Sequence, residues 1–188
     1  FCPKTTVVTH RNPFDKANPV FEGFTTEFKP YACVFTLIDG KYVAVTAEWK
    51  HGNGKITFVP VCGVPGKAET DIEDMREKMA TVAKREYLEE TGFTLSSVFP
   101  LSPATGLWTG VRNSVTQCFP FLGEIDMSVP KGPTKFDKTE HLKMVLFELP
   151  EWMKFIEDPS VFDGHDDFAL ETVARDTTYA ALRTLDRL

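Results

Sequence analysis

Arg85-Glu86-Tyr87-Leu88-Glu89-Glu90-Thr91-Gly92-Phe93 is the stretch on which the reading of this chain turns. In a helix, carboxylates at i, i+3 and i+4 share one face about 5–6 Å apart. Like charges that close repel, so the face is either well solvated or holds a cation, and oxygen-only donors suit Mg²⁺, Mn²⁺ or Ca²⁺. Upstream, Thr70-Asp71-Ile72-Glu73 has the pattern of a capping box, and Gly92 supplies a left-handed residue at the far end. The expected helix therefore starts near Asp71 and runs about 21 residues, roughly 31 Å. Ile72, Met75, Met79, Val82 and Ala83 recur at helical spacing and form a stripe for a core. Glu86 and Glu90 continue that stripe, which desolvates them in part, and a bound cation would offset the cost.

The pattern is more detailed than a charge run. Arg85-Glu86-Tyr87-x-Glu89-Glu90-x-Gly92-Phe93 resembles, position by position, the end of the Nudix box, and Glu77 stands eight residues before Arg85, as that motif requires. The motif's glycine, six residues before its glutamate, is replaced by Asp71. The upstream glycines Gly66 and Gly63 imply five or eight added residues respectively, placed between the glycine loop and the helix. Gly63 is preferred, because Val59-Pro60-Val61-Cys62-Gly63 resembles the strand and turn that enter the box in ADP-ribose pyrophosphatases.

The rest of the chain is compatible with an enzyme of this kind. Its 188 residues, 42% of them hydrophobic, suit a single domain with a sizeable core. A net charge of −6 argues against non-specific nucleic-acid binding, although an acidic protein still binds a pyrophosphate through bridging cations. Cys2, Cys33, Cys62 and Cys118 are scattered without metal-ligand spacing, so zinc is not expected, and Cys33 and Cys118, in apolar strand-like runs, are expected to be buried thiols. No apolar run reaches the roughly 20 residues of a membrane span, and no signal-peptide pattern is present, which points to the cytoplasm.

In chain order, strands are expected at Thr5 to His10, at Tyr31 to Ile38 and Tyr42 to Trp49 as a hairpin around Asp39-Gly40, and at Ile56 to Cys62. After the box come strands at Thr94 to Leu101, Ser114 to Gly123 and Leu142 to Leu149. Pro150 opens a helix with Trp152, Phe155 and Ile156 on one face. A long helix is expected over 166–188.

The resemblance implies an α/β/α sandwich around a mixed sheet, and a metal-dependent hydrolase that cleaves the pyrophosphate of a nucleoside diphosphate derivative. ADP-ribose or a nucleotide sugar is the first substrate class. NADH, nucleoside triphosphates and capped RNA are alternatives. It implies Mg²⁺ or Mn²⁺ held by Glu86 and Glu90, with Glu89 close by and the backbone at Cys62 as a further ligand. Arg85 and Glu77 would orient the helix. Glu140, before the last strand, would act as general base, with Asp137 as the shorter alternative. Trp49, Arg112 and Trp108 are the candidates for substrate contact. The N-terminal strand would pair with a second subunit in a homodimer. Two other classes compete: a Nudix-fold ligand-binding module without catalysis, and an interaction protein whose acidic helix is only a solvated face.

Overall fold

The computed structural model describes residues 4–11, 17, 20–50, 52, 54–109, 114–136, 141–162 and 167–187. Among these, eleven strands form one network and three α-helices cover it. The strands are β1 (Lys4–Arg11), β2 (Val20–Glu27), β3 (Tyr31–Ile38), β4 (Tyr42–Lys50), β5 (Lys55–Val59), β6 (Val61–Gly63), β7 (Leu95–Pro100), β8 (Leu107–Thr109), β9 (Ser114–Ile125), β10 (Leu142–Glu148) and β11 (Phe168–Leu170). The helices are α1 (Met75–Thr91), α2 (Leu149–Glu157) and α3 (Thr172–Thr184). The main path runs β1-β2-β9-β3-β4-β5-β11, with β10 on β4, β6 on β3, and β7 and β8 on β9. It is mixed: β2/β9, β9/β3 and β5/β11 are parallel and the other pairs antiparallel.

The alternation of β3 explains the layers, because successive side chains leave a strand on opposite faces. Ala32 and Val34 pack with Val61, Met79, Val82, Tyr87 and Phe119 under α1. Phe35, one residue on, joins Val43, Val45, Leu122, Trp152 and Ala181 beneath α2 and α3. Polar groups inside these layers are paired: Tyr87 Oη and Thr36 Oγ1 share a hydrogen bond of 2.7 Å, and Trp152 Nε1 donates to Thr178 Oγ1 at 2.9 Å.

The β3–β4 hairpin is joined only near its turn, at Leu37↔Val43 and Ile38↔Tyr42. Beyond that the strands part. β4 pairs onward with β5, β3 pairs with β6, and Pro60, which has no amide hydrogen, stands where the chain crosses from one edge to the other. The cleft between the parted strands is where the carboxylate end of α1 arrives.

The helix differs from the sequence expectation. It begins at Met75, not near Asp71, and its N-cap is Asp74, whose carboxylate accepts from Glu77 N at 2.8 Å. Residues 70–74 are turn and irregular chain. Two turns, closed by Thr70 N to Lys67 O and Ile72 N to Glu69 O, precede the helix, and Asp74 offers the better-placed cap. Ile72 is therefore half-buried and Met75 is 37% exposed, so the apolar stripe starts at Met79. The expected helix over 166–188 is likewise shorter: α3 spans Thr172–Thr184 and is preceded by β11. The strand β2 and the short strand β8 have no clear sequence signal. No helix among the described residues is long and apolar enough to cross a membrane.

Candidate active site

Two contacts fix the loop that leads into the helix. Glu69, 1% exposed, accepts from Arg85 Nε at 2.7 Å and from Gly66 N at 2.8 Å. Arg85 Nη2 donates to Val64 O at 3.0 Å, so one guanidinium ties the glycine loop to the middle of α1. Burial alone would raise the Glu69 carboxyl, but the Arg85 hydrogen bond, the Gly66 amide and the charge of Arg85 outweigh it and hold the group below its ordinary 4.5. Arg85 is likewise held more firmly protonated than usual: burial opposes its charge, and Glu69, Glu86 and Glu89 more than compensate.

This geometry corrects the assignment of Glu77. That residue is exposed and its backbone amide serves the helix cap, whereas Glu69 is the partner of Arg85. Gly63 lies six residues before Glu69, the spacing the motif requires. The eight added residues therefore lie between the glutamate and the arginine, not between the glycine and the glutamate. The signal was available in the Gly63-to-Glu69 spacing but was masked by a second glutamate at the usual distance from Arg85.

A pair of substitutions separates the two carboxylates. Glu69→Gln is expected to cost about 1.5–3 kcal/mol of folding stability, the worth of a hydrogen bond to a charged group. Glu77→Gln should stay within about 0.5 kcal/mol. Because the folded Glu69 carboxyl is depressed, its stabilisation is present above the unfolded value and lost as pH falls through the folded one. Urea titrations at neutral and acid pH should show the wild type and Glu69→Gln converging on the acid side. Equal stability at neutral pH would reject the assignment.

Beyond Arg85, the carboxylates enter a cavity of about 850 Å³ lined by Gly63, Cys62, Glu86, Glu89 and Glu90 among others. Glu90 is 5% exposed, in line with its place on the inward row. Gly63 is required by space: a methyl carbon there would overlap Glu86 Cγ, Cδ and Oε1. Glu86 Oε1 and Glu89 Oε2 each lie 2.9 Å from Arg85 Nη1, and Lys135 Nζ is 3.7 Å from Glu89 Oε1. The far end of α1 is clamped as well. Gly92, at φ 76°, caps it through a bond to Leu88 O, and the amides of Gly132 and Lys135 donate to the carbonyls of Gly92 and Glu89 at 2.8 and 2.7 Å.

The donor chemistry fits a hard divalent cation: buried and half-buried carboxylate oxygens, with a glycine backbone that lets one of them lie against it. In the present arrangement Glu86 and Glu89 turn to Arg85, and among the described residues no three His, Cys, Asp or Glu side chains converge as a metal-binding group. A cation held at Glu86 would replace its ion pair with Arg85, and Arg85 would keep Glu69 and the Val64 carbonyl as partners.

The substrate-contact candidates fall differently. Trp49 lies between Glu48 and Lys50, which line the cavity, so it leaves β4 on the other face, and it is 40% exposed. Trp108 pairs across from Gln117, while the neighbouring Thr116 lines the cavity. Neither tryptophan is part of the lining; the aromatic surface comes from Phe28 and Tyr31, which the sequence did not single out. Arg112, Asp137 and Glu140 lie outside the described residues.

No family profile and no curated protein matches the sequence. Among solved structures, one described as an ADP compounds hydrolase superposes at a TM-score of 0.64 over 99% of this chain and 97% of its own, with 16% identity. The chain thus has the Nudix fold, an α/β/α sandwich around a mixed sheet.

Proposed function

We propose that this chain is a metal-dependent hydrolase that cleaves the pyrophosphate bond of a nucleoside diphosphate derivative, with ADP-ribose or a nucleotide sugar as its substrate class. The observation that carries the reading is the seating of Glu86 against the Gly63 backbone with Glu90 buried beside it in one cavity, on a helix locked by Arg85 and Glu69. Glu86 and Glu90 would hold Mg²⁺ or Mn²⁺, with Glu89 and the backbone at Cys62 as further donors. Such a cation neutralises phosphate oxygens and lowers the pKa of an attacking water.

Arg85 serves orientation. Its contacts to Glu69 and Val64 O keep the carboxylate face aimed into the cleft, and they leave Glu86 able to exchange an ion pair for a cation. Lys135, on the loop clamped to the end of α1, brings a positive charge to the rim for an anionic substrate. Glu140, five residues further along, is the proposed general base, since carboxylates engaged with a cation are poor proton acceptors.

A homodimer is part of the proposal. β1 and β2 pair with each other, and β2 meets β9 only at Thr26↔Ser114 and Glu27↔Val115. Val7, Val20 and Phe24 are more than half exposed on that ribbon, and a two-stranded ribbon is marginal alone. A cytoplasmic location is proposed with it.

The test is direct. The pure protein is incubated with ADP-ribose, nucleoside diphosphate sugars, NADH and nucleoside triphosphates, with Mg²⁺, with Mn²⁺ and with chelator. Release of AMP or another nucleoside monophosphate from a diphosphate derivative, dependent on the cation, is the expected result. A protein that cleaves none of them with either cation rejects the reading.

A further inference from the structure

The cavity contains a second charged group, away from the carboxylates of α1. Glu48 and Lys50 leave β4 on the same face and are joined by an ion pair of 2.5 Å, with side chains 21% and 33% exposed. Glu171 enters from another element. It occupies the N-cap position of α3 yet makes no capping hydrogen bond with its side chain, and it lines the cavity. Burial would lower the Lys50 amine, but the Glu48 hydrogen bond, the Glu48 charge and the charge of Glu171 outweigh it, so Lys50 stays a cation beside Glu48, with Glu171 lining the same cavity. Cys62, in the middle of β6, lines the same cavity, as do Glu86 and Glu90 of α1.

Two carboxylates around one ammonium leave the corner with net negative charge and spare acceptor capacity. A phosphate is repelled there. A group rich in hydroxyls is not, because a vicinal diol donates two O–H bonds to one carboxylate while the ammonium donates to a ring or hydroxyl oxygen. The strand order separates this corner from the aromatic surface. Phe28 and Tyr31 belong to the β2–β3 side of the cleft, whereas Glu48, Lys50 and Glu171 belong to β4 and to the segment after β11. The carboxylates of α1 and the Gly63 backbone lie between.

We propose that Glu48, Lys50 and Glu171 form a subsite for the hydroxyl groups of a sugar attached to the far phosphate, with the nucleoside on the Phe28 side. The assignment rests on the diphosphate-hydrolase reading above and adds a direction to it: the leaving sugar phosphate faces β4. The residues act by binding, so their signature is a substrate preference.

The experiment compares ADP-ribose with the methyl ester of ADP, which shares the adenosine and the diphosphate but lacks the distal sugar. The ratio of kcat/KM for the two is measured in the wild type, Glu171→Gln and Glu48→Gln. ADP-ribose binding is followed in parallel by calorimetry in EDTA, and thermal unfolding verifies that each variant is folded. The wild type should prefer ADP-ribose. Each substitution should reduce that preference by about tenfold or more, as expected for a lost hydrogen bond to a charged group, and should weaken ADP-ribose binding similarly. If both variants lower the two substrates equally, or change neither, the subsite is overturned. A wild type that cleaves neither compound but binds ADP-ribose, with binding weakened in the variants, supports the subsite and removes ADP-ribose as a substrate of the hydrolase. A wild type that neither cleaves nor binds ADP-ribose overturns the subsite, and the hydrolase reading is then decided by the wider substrate panel.

Discussion

Glu90→Gln is expected to leave the fold intact and to lower the hydrolytic rate at least about a hundredfold, ~2.7 kcal/mol in the barrier. The replacement keeps the volume of a side chain that is 5% exposed, so packing on the inward face of α1 is preserved. What it removes is negative charge at the point where a cation would be held, and transition-state charge on the phosphates then goes uncompensated. Steady-state kinetics on the best substrate, with the cation varied, provide the check. A variant within about tenfold of wild type, ~1.4 kcal/mol, would show that Glu90 does not hold the metal.

The second large effect is expected at Gly63→Ala. The residue is not in a left-handed conformation, so an alanine there meets no backbone penalty, and the outcome depends on space alone. The space is taken by Glu86 Cγ and Cδ as well as its carboxylate, so no small shift of a flexible tip relieves the overlap. Glu86 must leave its rotamer, and a displacement of about 1 Å at a reacting centre is enough to cost on the order of a hundredfold in rate. Folding stability should fall by about 1–3 kcal/mol, the usual range for overpacking. Kinetics together with urea unfolding distinguish the two effects. Activity within about threefold of wild type would mean that Glu86 does not need its seat against the glycine.

The parts of this site that could be read in the sequence are those held by local geometry. The spacing of Glu86, Glu89 and Glu90 on one helical face is a property of any helix, and Gly92 terminates α1 as its position implied. The hairpin at Asp39-Gly40 and the helix opened by Pro150 are equally local, and both are present. The errors arose where a distant partner decided the matter. Thr70 and Glu73 have the composition of a capping box, but Glu69 is committed to Arg85 and Asp74 is the better-placed cap. Glu77 stands at the right number of residues from Arg85, but Glu69, at the right number from Gly63 and sixteen residues before Arg85, is the carboxylate that satisfies the guanidinium. Trp49 suits base stacking by its chemistry, but the two-residue period of β4 turns it away from the face that carries Glu48 and Lys50. Glu171 gave no sequence signal, because its relation to the cavity is created by β11 pairing with β5, an alignment across more than a hundred residues.

The bond between Glu69 and Arg85 has a consequence for how this architecture can be altered. It fixes the start of the following stretch at Glu69, and the Asp74 cap fixes its end on the helix, so residues 70–73 between them do not set the alignment of the loop with α1. Closing a flexible loop between fixed ends becomes only slowly more costly with length, about 0.6 kcal/mol for each doubling. The stretch is therefore a natural port for grafting: an epitope, a fluorophore-bearing peptide or a tether to a surface could be spliced in there, close to the chemistry and mechanically uncoupled from it.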